Sequence, residues 1–278
     1  MTEEETTFFY ENGYLIKEKA YDTQTVESMR READFILELI LNSSIHSGRM
    51  SHRLDLTVTD EGLPMVRKIQ PIDDLSRTLH DVAMGDILLD SMRAMMNDEP
   101  ILMEEKLNYK QPLGKKVDGL KPQSSGDHFP IHQDWAYYAH NGYPQEIVSS
   151  AICLDDCTPE NGPLRIWPGS HKKALEHTPR EGIKGLHVVP GSLDEDGGMD
   201  VCAPAGTVMY FHSLLAHNSR KNTSNSPRRI MIYSHYPKAA NMGHDIRNGP
   251  NRLRESGHEW DYVREVGMEN MARYIKAQ

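Results

Sequence analysis

Residues 128–142 read HFPIHQDWAYYAHNG. His132 and Asp134 stand one residue apart in a stretch that is otherwise apolar and aromatic. On an extended segment residues i and i+2 point to the same side, so the imidazole and the carboxylate would converge on one point. A shared metal ion is one reason for such a pair, and a His–Asp hydrogen bond is another. Taken alone, His-x-Asp arises often by chance, so the rest of the chain has to decide.

A second candidate lies downstream, in GTVMYFHSLLAHNSRKNTSNSPRRIMIYSHY (206–236). His212 and His217 flank a short apolar run, and the Arg228-Arg229 pair follows. Two same-side ligands on one strand need a third from elsewhere, and His217 can supply it. Two histidines and one carboxylate leave three open positions, which suits Fe(II) binding a cosubstrate and dioxygen. Catalytic zinc is more often held by three histidines, or by two histidines and a glutamate, with one open site.

The texture around these residues sets the fold. After Pro100 the segments ILMEEKLNY, EIVSSAICL, LRIWP, LHVVP, GTVMYFH and RRIMIYSHY are short and rich in β-branched or aromatic residues, with Gly, Pro, Asn and Asp between them. Many short strands joined by turns predict a mostly β architecture, an antiparallel double-sheet jelly roll. The first hundred residues read as largely helical. In 22–43, Val26, Met29, Ala33, Ile36, Leu37 and Ile40 share one helical face, with Asp22 or Thr23 as the cap. In 73–98, Leu75, Leu79 and Val82 precede Gly85, and Leu88, Met92 and Met95 follow it. HKKALEHTPREGIKG (171–185) and NGPNRLRESGH (248–258) read as loops, and 260–278 as a terminal helix. We expect one domain: mainly helical support over 1–99, a jelly-roll core over 100–240, and a loop with a terminal helix over 241–278.

Composition narrows the function. The chain has 278 residues, 38% hydrophobic and 26% charged, with a net charge of −10. That is a globular composition with no basic tract, which argues against nucleic acid or an anionic membrane as the main partner. The N-terminus has no apolar signal region, and no run approaches the roughly 18 apolar residues of a membrane span. Three cysteines without a regular framework point to a reducing compartment. We expect a cytoplasmic protein acting on a small molecule.

Four motifs carry a family resemblance. LNYKQP (107–112), HQDWAYY (132–138), DDCTPENGPLRIWPGSHK (155–172) and HNSRKNTSNSPRR (217–229) resemble, in order, segments of the phytanoyl-CoA dioxygenase family of Fe(II)/2-oxoglutarate oxygenases. The resemblance implies a double-stranded β-helix, cupin-like, with flanking helices. It implies Fe(II) as the metal, 2-oxoglutarate and dioxygen as cosubstrates, and hydroxylation of an unactivated C–H bond.

Carried over residue by residue, His132, Asp134 and His217 match the iron ligands. Arg228, eleven residues after His217, matches the arginine that binds the distal carboxylate of 2-oxoglutarate. Its planar fork suits a carboxylate. Arg229 would point the other way, as a surface ion-pair residue. Asn108 matches an amide that contacts 2-oxoglutarate in some members, and Ser219 can line the same pocket. Where some members place a tryptophan near the cosubstrate, this chain has SSAICL, leaving Ser150 or Ile152 as the wall.

For the substrate, Tyr138 ranks first among the aromatic candidates, because on a straight strand Trp135 and Tyr137 point away from the ligand face; a loop or bulge after Asp134 would change that parity, so Trp135 ranks second. Lys110, Lys115, Lys116 and Arg165 are the cationic candidates. Together they suggest a small anionic metabolite: an amino acid, a carboxylate or an organophosphonate. The alternatives are natural-product tailoring and a catalytically silent ligand binder. A zinc hydrolase on a cupin-like barrel is a further class, opposed by the carboxylate-binding arginine. The long stretch 110–130 could serve as a lid. His128, His140, His171 and His235 read as bystanders, and Trp167 as core.

Overall fold

The computed structural model describes residues 1–113, 120–126, 129–180, 183–246, 249 and 259–268. The chain opens with α1 (Glu3–Asn12), β1 (Tyr14–Lys17) and α2 (Thr23–Ser47). Asp22 caps α2 by accepting from the Thr25 N–H at 2.8 Å, and Gly48 closes it in the left-handed conformation. Val26, Met29, Ala33, Ile36 and Ile40 are buried along one face. Next come β2 (Leu54–Val58), β3 (Pro64–Ile69), α3 (Arg77–Ala83) and α4 (Asp86–Met96). Met84 and Gly85 divide α3 from α4.

The remaining elements are mostly strands: β4 (Pro100–Pro112), β5 (Ser124–Ser125), β6 (Phe129–His132), the single helical turn α5 (Trp135–Tyr138), β7 (Val148–Cys153), β8 (Leu164–Ile166), β9 (His177–Arg180), β10 (Ile183–Val188), β11 (Met199–Val201), β12 (Val208–His212), β13 (His217–Ser219) and β14 (Ile230–Pro237). Helix α6 (Glu259–Val266) ends the described chain.

The strands form an eight-stranded sheet in the order β1-β12-β7-β14-β4-β3-β2-β5, a four-stranded sheet in the order β11-β8-β13-β6, and the β10-β9 hairpin. All pairings are antiparallel except β2 with β5. One core lies between the two main sheets. There Ala151, Met209, Phe211, Ile230 and Ile232 of the large sheet meet Leu164, Ile166 and Val201 of the small one. The large sheet turns its other face to the helices, through Ile152, Tyr210, Met231 and Tyr233. The jelly roll expected from the sequence is thus present, with helices covering one face.

Three details differ from the sequence reading. The largely helical first hundred residues also supply β1, β2 and β3 to the large sheet. The segment 171–185 is not wholly a loop: β9 and β10 form a hairpin in which His177 pairs with Val188. Its polar residues carry no apolar alternation to announce it. In β7, Ser150 and Ile152 do not wall the inter-sheet space. Ile152 packs in the helix-side core, and Ala151 and Cys153 face inward. The loop 248–258, most of the terminal helix beyond Val266, and the central part of the 110–130 stretch lie outside the described residues.

Candidate active site

Between the sheets lies a cavity of about 300 Å³. His132 ends β6 and pairs directly with His217 on β13, so the two imidazoles stand side by side on adjacent strands with ring centroids 4.3 Å apart. Asp134 begins the turn that follows. Its Oδ1 lies 3.4 Å from His132 Nε2 and 3.8 Å from His217 Nε2. Ligand atoms of the three residues all fall within 4.8 Å of one another.

The protons explain why this is a cation site. His132 Nδ1 lies 2.8 Å from the Pro130 carbonyl, and His217 Nδ1 lies 2.9 Å from the Leu215 carbonyl. A carbonyl oxygen only accepts, so each ring carries its proton on Nδ1 and turns an Nε2 lone pair inward. Burial, and then His132, lower the His217 pKa to about 4 against the opposing pull of Asp134, so its ring is neutral near pH 7. Burial would raise the Asp134 carboxyl, but Lys106, His217 and His132 hold it below the usual range. Asp134 Oδ2 is buried with no hydrogen-bond partner among the described residues. Three electron-pair donors converge, and a cation is what they fit.

Gln133, between the two ligands, is completely buried. Its Nε2 donates to the Leu214 carbonyl at 2.6 Å and to the Lys173 carbonyl at 2.9 Å, and its Oε1 accepts from the Leu175 N–H at 2.8 Å. Its backbone N–H donates to His177 Nε2 at 3.0 Å. Burial lowers the His177 pKa, which keeps that nitrogen an acceptor. One side chain therefore joins the His132–Asp134 turn to the segment leading into His217.

By chemistry the cavity lining divides into two groups of residues, or arms. One arm is lined by Asn108, Ser219, Asn218, Leu164 and Ile232. Asn108 Oδ1, Asn218 Oδ1 and Ser219 Oγ are buried with no hydrogen-bond partner among the described residues. Buried polar groups are rarely left so, and these fit a polar ligand. Arg228 is fully buried and is not among the residues that line the cavity; its Nε donates to the Gly162 carbonyl at 3.0 Å. It shares the inward parity of Ile230 and Ile232. Arg229 points outward and pairs with Asp155 at 2.8 Å and with Asp34 of α2 at 2.6 Å.

The other arm is lined by two ion pairs, by a third cation, Lys68, whose Nζ donates to Gln70 Oε1 at 3.2 Å, and by aromatic rings. Lys106 Nζ lies 2.9 Å from Glu104, and Arg67 lies 3.0 Å from Asp55. Glu104 also accepts from Tyr138 Oη at 2.8 Å and from Gln70. Arg67 sits where β3 breaks register with both neighbours, and its guanidinium lies 4.5 Å over the Phe129 ring. Bulges of this kind re-aim side chains. The sequence reading missed these charges. The alternation Glu104-x-Lys106-x-Asn108 on one strand face was the available signal; for Arg67 the register break left none.

The substrate candidates divide. Tyr138 lines the cavity, and so does Tyr137, which is edge-on to His132 at 5.7 Å. Trp135 does not line it. The chain turns helical at Asp134, so 134, 137 and 138 share a face and 135 points away, with Nε1 directed to the Tyr143 carbonyl. Arg165 does not line it either. On β8 it alternates outward from Leu164 and Ile166, donating to the Gly198 and Asp196 carbonyls. Lys110 is buried with its Nζ on the Arg220 carbonyl. Lys115, Lys116 and His128 lie outside the described residues.

The two-sheet jelly roll brings together two histidines on adjacent strands and a carboxylate at the following turn, the donor set of a non-haem metal centre. Residues 9–230 match the phytanoyl-CoA dioxygenase (PhyH) family model. The chain belongs to that family, and with it to the Fe(II)/2-oxoglutarate-dependent dioxygenases. It is 28% identical over 211 residues to L-proline trans-4-hydroxylase of Streptomyces griseoviridis, covering 68% of this chain and 74% of that one. It is 26% identical over 178 residues to a probable alpha-ketoglutarate-dependent hypophosphite dioxygenase of Stutzerimonas stutzeri, covering 62% of this chain and 57% of that one. The crystal structure of EctD from S. alaskensis with 2-oxoglutarate and 5-hydroxyectoine shares the fold, with a TM-score of 0.62, 22% identity, and coverage of 86% and 77%.

Proposed function

We propose that His132, Asp134 and His217 hold Fe(II), that Arg228, Asn108 and Ser219 bind 2-oxoglutarate, and that the enzyme hydroxylates a small metabolite in the charged arm. The observation that carries the assignment is the convergence of three ligand atoms within 4.8 Å with both histidine protons turned away. When bound, Fe(II) with 2-oxoglutarate and dioxygen supplies the oxidant that inserts one oxygen atom into a C–H bond, with succinate and carbon dioxide released. Asp134 stays ionised, and the Pro130 and Leu215 carbonyls keep the imidazoles in the ligating tautomer. Arg228 gives the distal carboxylate of 2-oxoglutarate a charge-assisted fork, and Asn108 and Ser219 offer it hydrogen bonds. Tyr137 and Tyr138 wall the space beside the triad, so they orient the C–H bond and exclude water.

The paired charges and the small volume of the second arm favour an amino acid, a carboxylate or an organophosphonate over a large natural product. Three free cysteines support a cytoplasmic setting. Among the described residues no helix is long and apolar enough to cross a membrane. The test is metal analysis combined with a screen of small metabolites for stimulated 2-oxoglutarate turnover. Iron-dependent succinate formation that rises with one metabolite supports the reading. Turnover with zinc and no need for 2-oxoglutarate would overturn it.

A further inference from the structure

Resting on that functional reading, we infer that Gln133 is a positioning residue of the metal site. Its side-chain amide sets how closely Asp134 stands to His217, and so how tightly the site holds its ion.

The inference starts where strand pairing stops. β6 and β13 pair from Phe129 with Ser219 to His132 with His217, and His132 is the last residue of β6. The ladder fixes the two imidazoles against each other. It does not fix Asp134, whose backbone is already helical at φ −58° and ψ −35°. Two hydrogen bonds take over beyond the ladder. The Trp135 N–H donates to the Ser213 carbonyl at 3.1 Å, and Gln133 Nε2 donates to the Leu214 carbonyl at 2.6 Å. Leu214 precedes Leu215, whose carbonyl holds His217 Nδ1 at 2.9 Å. Gln133 thus grips the same turn that orients His217.

The amide also reaches a third segment. Its Oε1 accepts from the Leu175 N–H at 2.8 Å, and Nε2 donates a second time, to the Lys173 carbonyl at 2.9 Å. His177 closes a circuit. Its Nδ1 donates to the Leu175 carbonyl at 2.9 Å, and its Nε2 accepts from the Gln133 N–H at 3.0 Å. Gln133 is completely buried and is not among the residues that line the cavity, so it acts through the ligands and not on the substrate.

Two donors and one acceptor used in three directions call for an amide. A methionine here keeps the length and makes none of these bonds. It leaves two buried carbonyls and one buried N–H without partners, and the three segments must part to find water. A glutamate sets a carboxylate oxygen against the Leu214 and Lys173 carbonyls. Either change frees Asp134 from its registry with His217.

The test is equilibrium binding of Mn(II) to the metal-free protein without 2-oxoglutarate, read from the electron paramagnetic resonance signal of the free ion. Gln133→Met should raise the Mn(II) Kd about tenfold, as expected for a residue that holds metal ligands in place. Gln133→Glu should do no better. Tyr233→Phe is the comparison, since it removes a buried hydrogen bond to the Leu79 carbonyl on the helix side of the large sheet. It should lower the urea midpoint and leave the Mn(II) Kd unchanged. A folded Gln133→Met protein that is less stable but binds Mn(II) as wild type does makes Gln133 structural only, and overturns the inference.

Wild-type protein gives a second reading. Coupling is reciprocal, so a residue that ties 173–177 to the ligands lets the metal stabilise that segment. Hydrogen exchange in peptides covering 171–177 should slow when Mn(II) is added. Protection confined to 129–137 and 212–219 overturns the inference, and this measurement decides even where neither Gln133 variant folds. Wild-type protein that binds no Mn(II) strikes the metal assignment itself, and the inference with it.

Discussion

The two arms of the cavity are built on opposite electrostatic plans. Around Asn108, Ser219 and Asn218 buried polar atoms have no hydrogen-bond partner among the described residues. Around Glu104, Lys106, Arg67 and Asp55 the charges are paired with one another. An arm with unsatisfied polar atoms is incomplete until its ligand arrives, which suits a cosubstrate that is always the same molecule. An arm whose carboxylates are already bonded to cations, Glu104 to Lys106 and Asp55 to Arg67, makes its ligand compete for those charges. That raises the cost of binding the wrong molecule, because a buried ion pair broken without replacement is strongly destabilising.

The sharpest way to break this picture is at the triad, where the arms meet. His132→Ala, Asp134→Ala and His217→Ala should each abolish Fe(II)-dependent succinate formation, with circular dichroism showing the fold retained. Near-wild-type turnover with iron in any one variant removes that residue from the ligand set. Next in size is the cosubstrate arm. Arg228→Ala should raise the apparent KM for 2-oxoglutarate at least about tenfold, since one charge-assisted hydrogen bond contributes about 1.5–3 kcal/mol and about 1.4 kcal/mol is a decade. Arg229→Ala, whose partners are Asp155 and Asp34, should move that KM far less.

In the other arm the expected signature is different in kind. Tyr138→Ala should lower the ratio of hydroxylated product to succinate, because the ring orients the C–H bond while the cosubstrate arm stays whole. Trp135→Ala should leave the ratio unchanged, since Trp135 faces away. A ratio that responds to Trp135 and not to Tyr138 would reverse the assignment of the wall.

The smallest effect concerns stability away from the site. His235 is fully buried on β14, and burial lowers its pKa from the usual imidazole value near 6.5 to about 3. Below pH 6.5 the unfolded chain takes up a proton at this position and the folded chain does not. Stability is therefore lost progressively as the pH falls from 6.5 toward 3, by about 2 kcal/mol at pH 5 from this group. Urea midpoints measured at pH 7 and pH 5 should differ less in His235→Gln than in wild type. An equal difference in the two proteins would mean that His235 is not held neutral.

How much was legible beforehand follows the range of the signal. Helix α2 was readable from its apolar spacing and its Asp22 cap, because both are local to one element. The candidate triad was readable from the family motifs, which carry His132, Asp134 and His217; strand spacing alone did not place Asp134, which opens the helical turn after β6. Trp135 was misplaced because the backbone changes conformation just before it, and Arg165 because charge alone does not say which face of β8 is turned inward. Strand parity could be counted, but where the strand gives way to a helical turn could not, and one such turn moves every following side chain. β2 and β3 went unmarked in a region whose helical pattern was stronger, and with them Asp55 and Arg67 were lost from view.

The sequence by itself determined the chemistry on offer: His132, Asp134, His217 and Arg228 in an order and spacing that belong to one family, on a chain patterned for many short strands. Residue type and local period carry that information, and both are written along the chain. Only the tertiary structure decided what surrounds the candidate triad. Gln133 reaching Leu214, Lys173 and Leu175, Arg67 re-aimed by a register break, and the pairing of Lys106 with Glu104 beside Tyr138 all depend on contacts between elements far apart in sequence. No local pattern encodes such contacts, because they arise only when two sheets close over a shared interior.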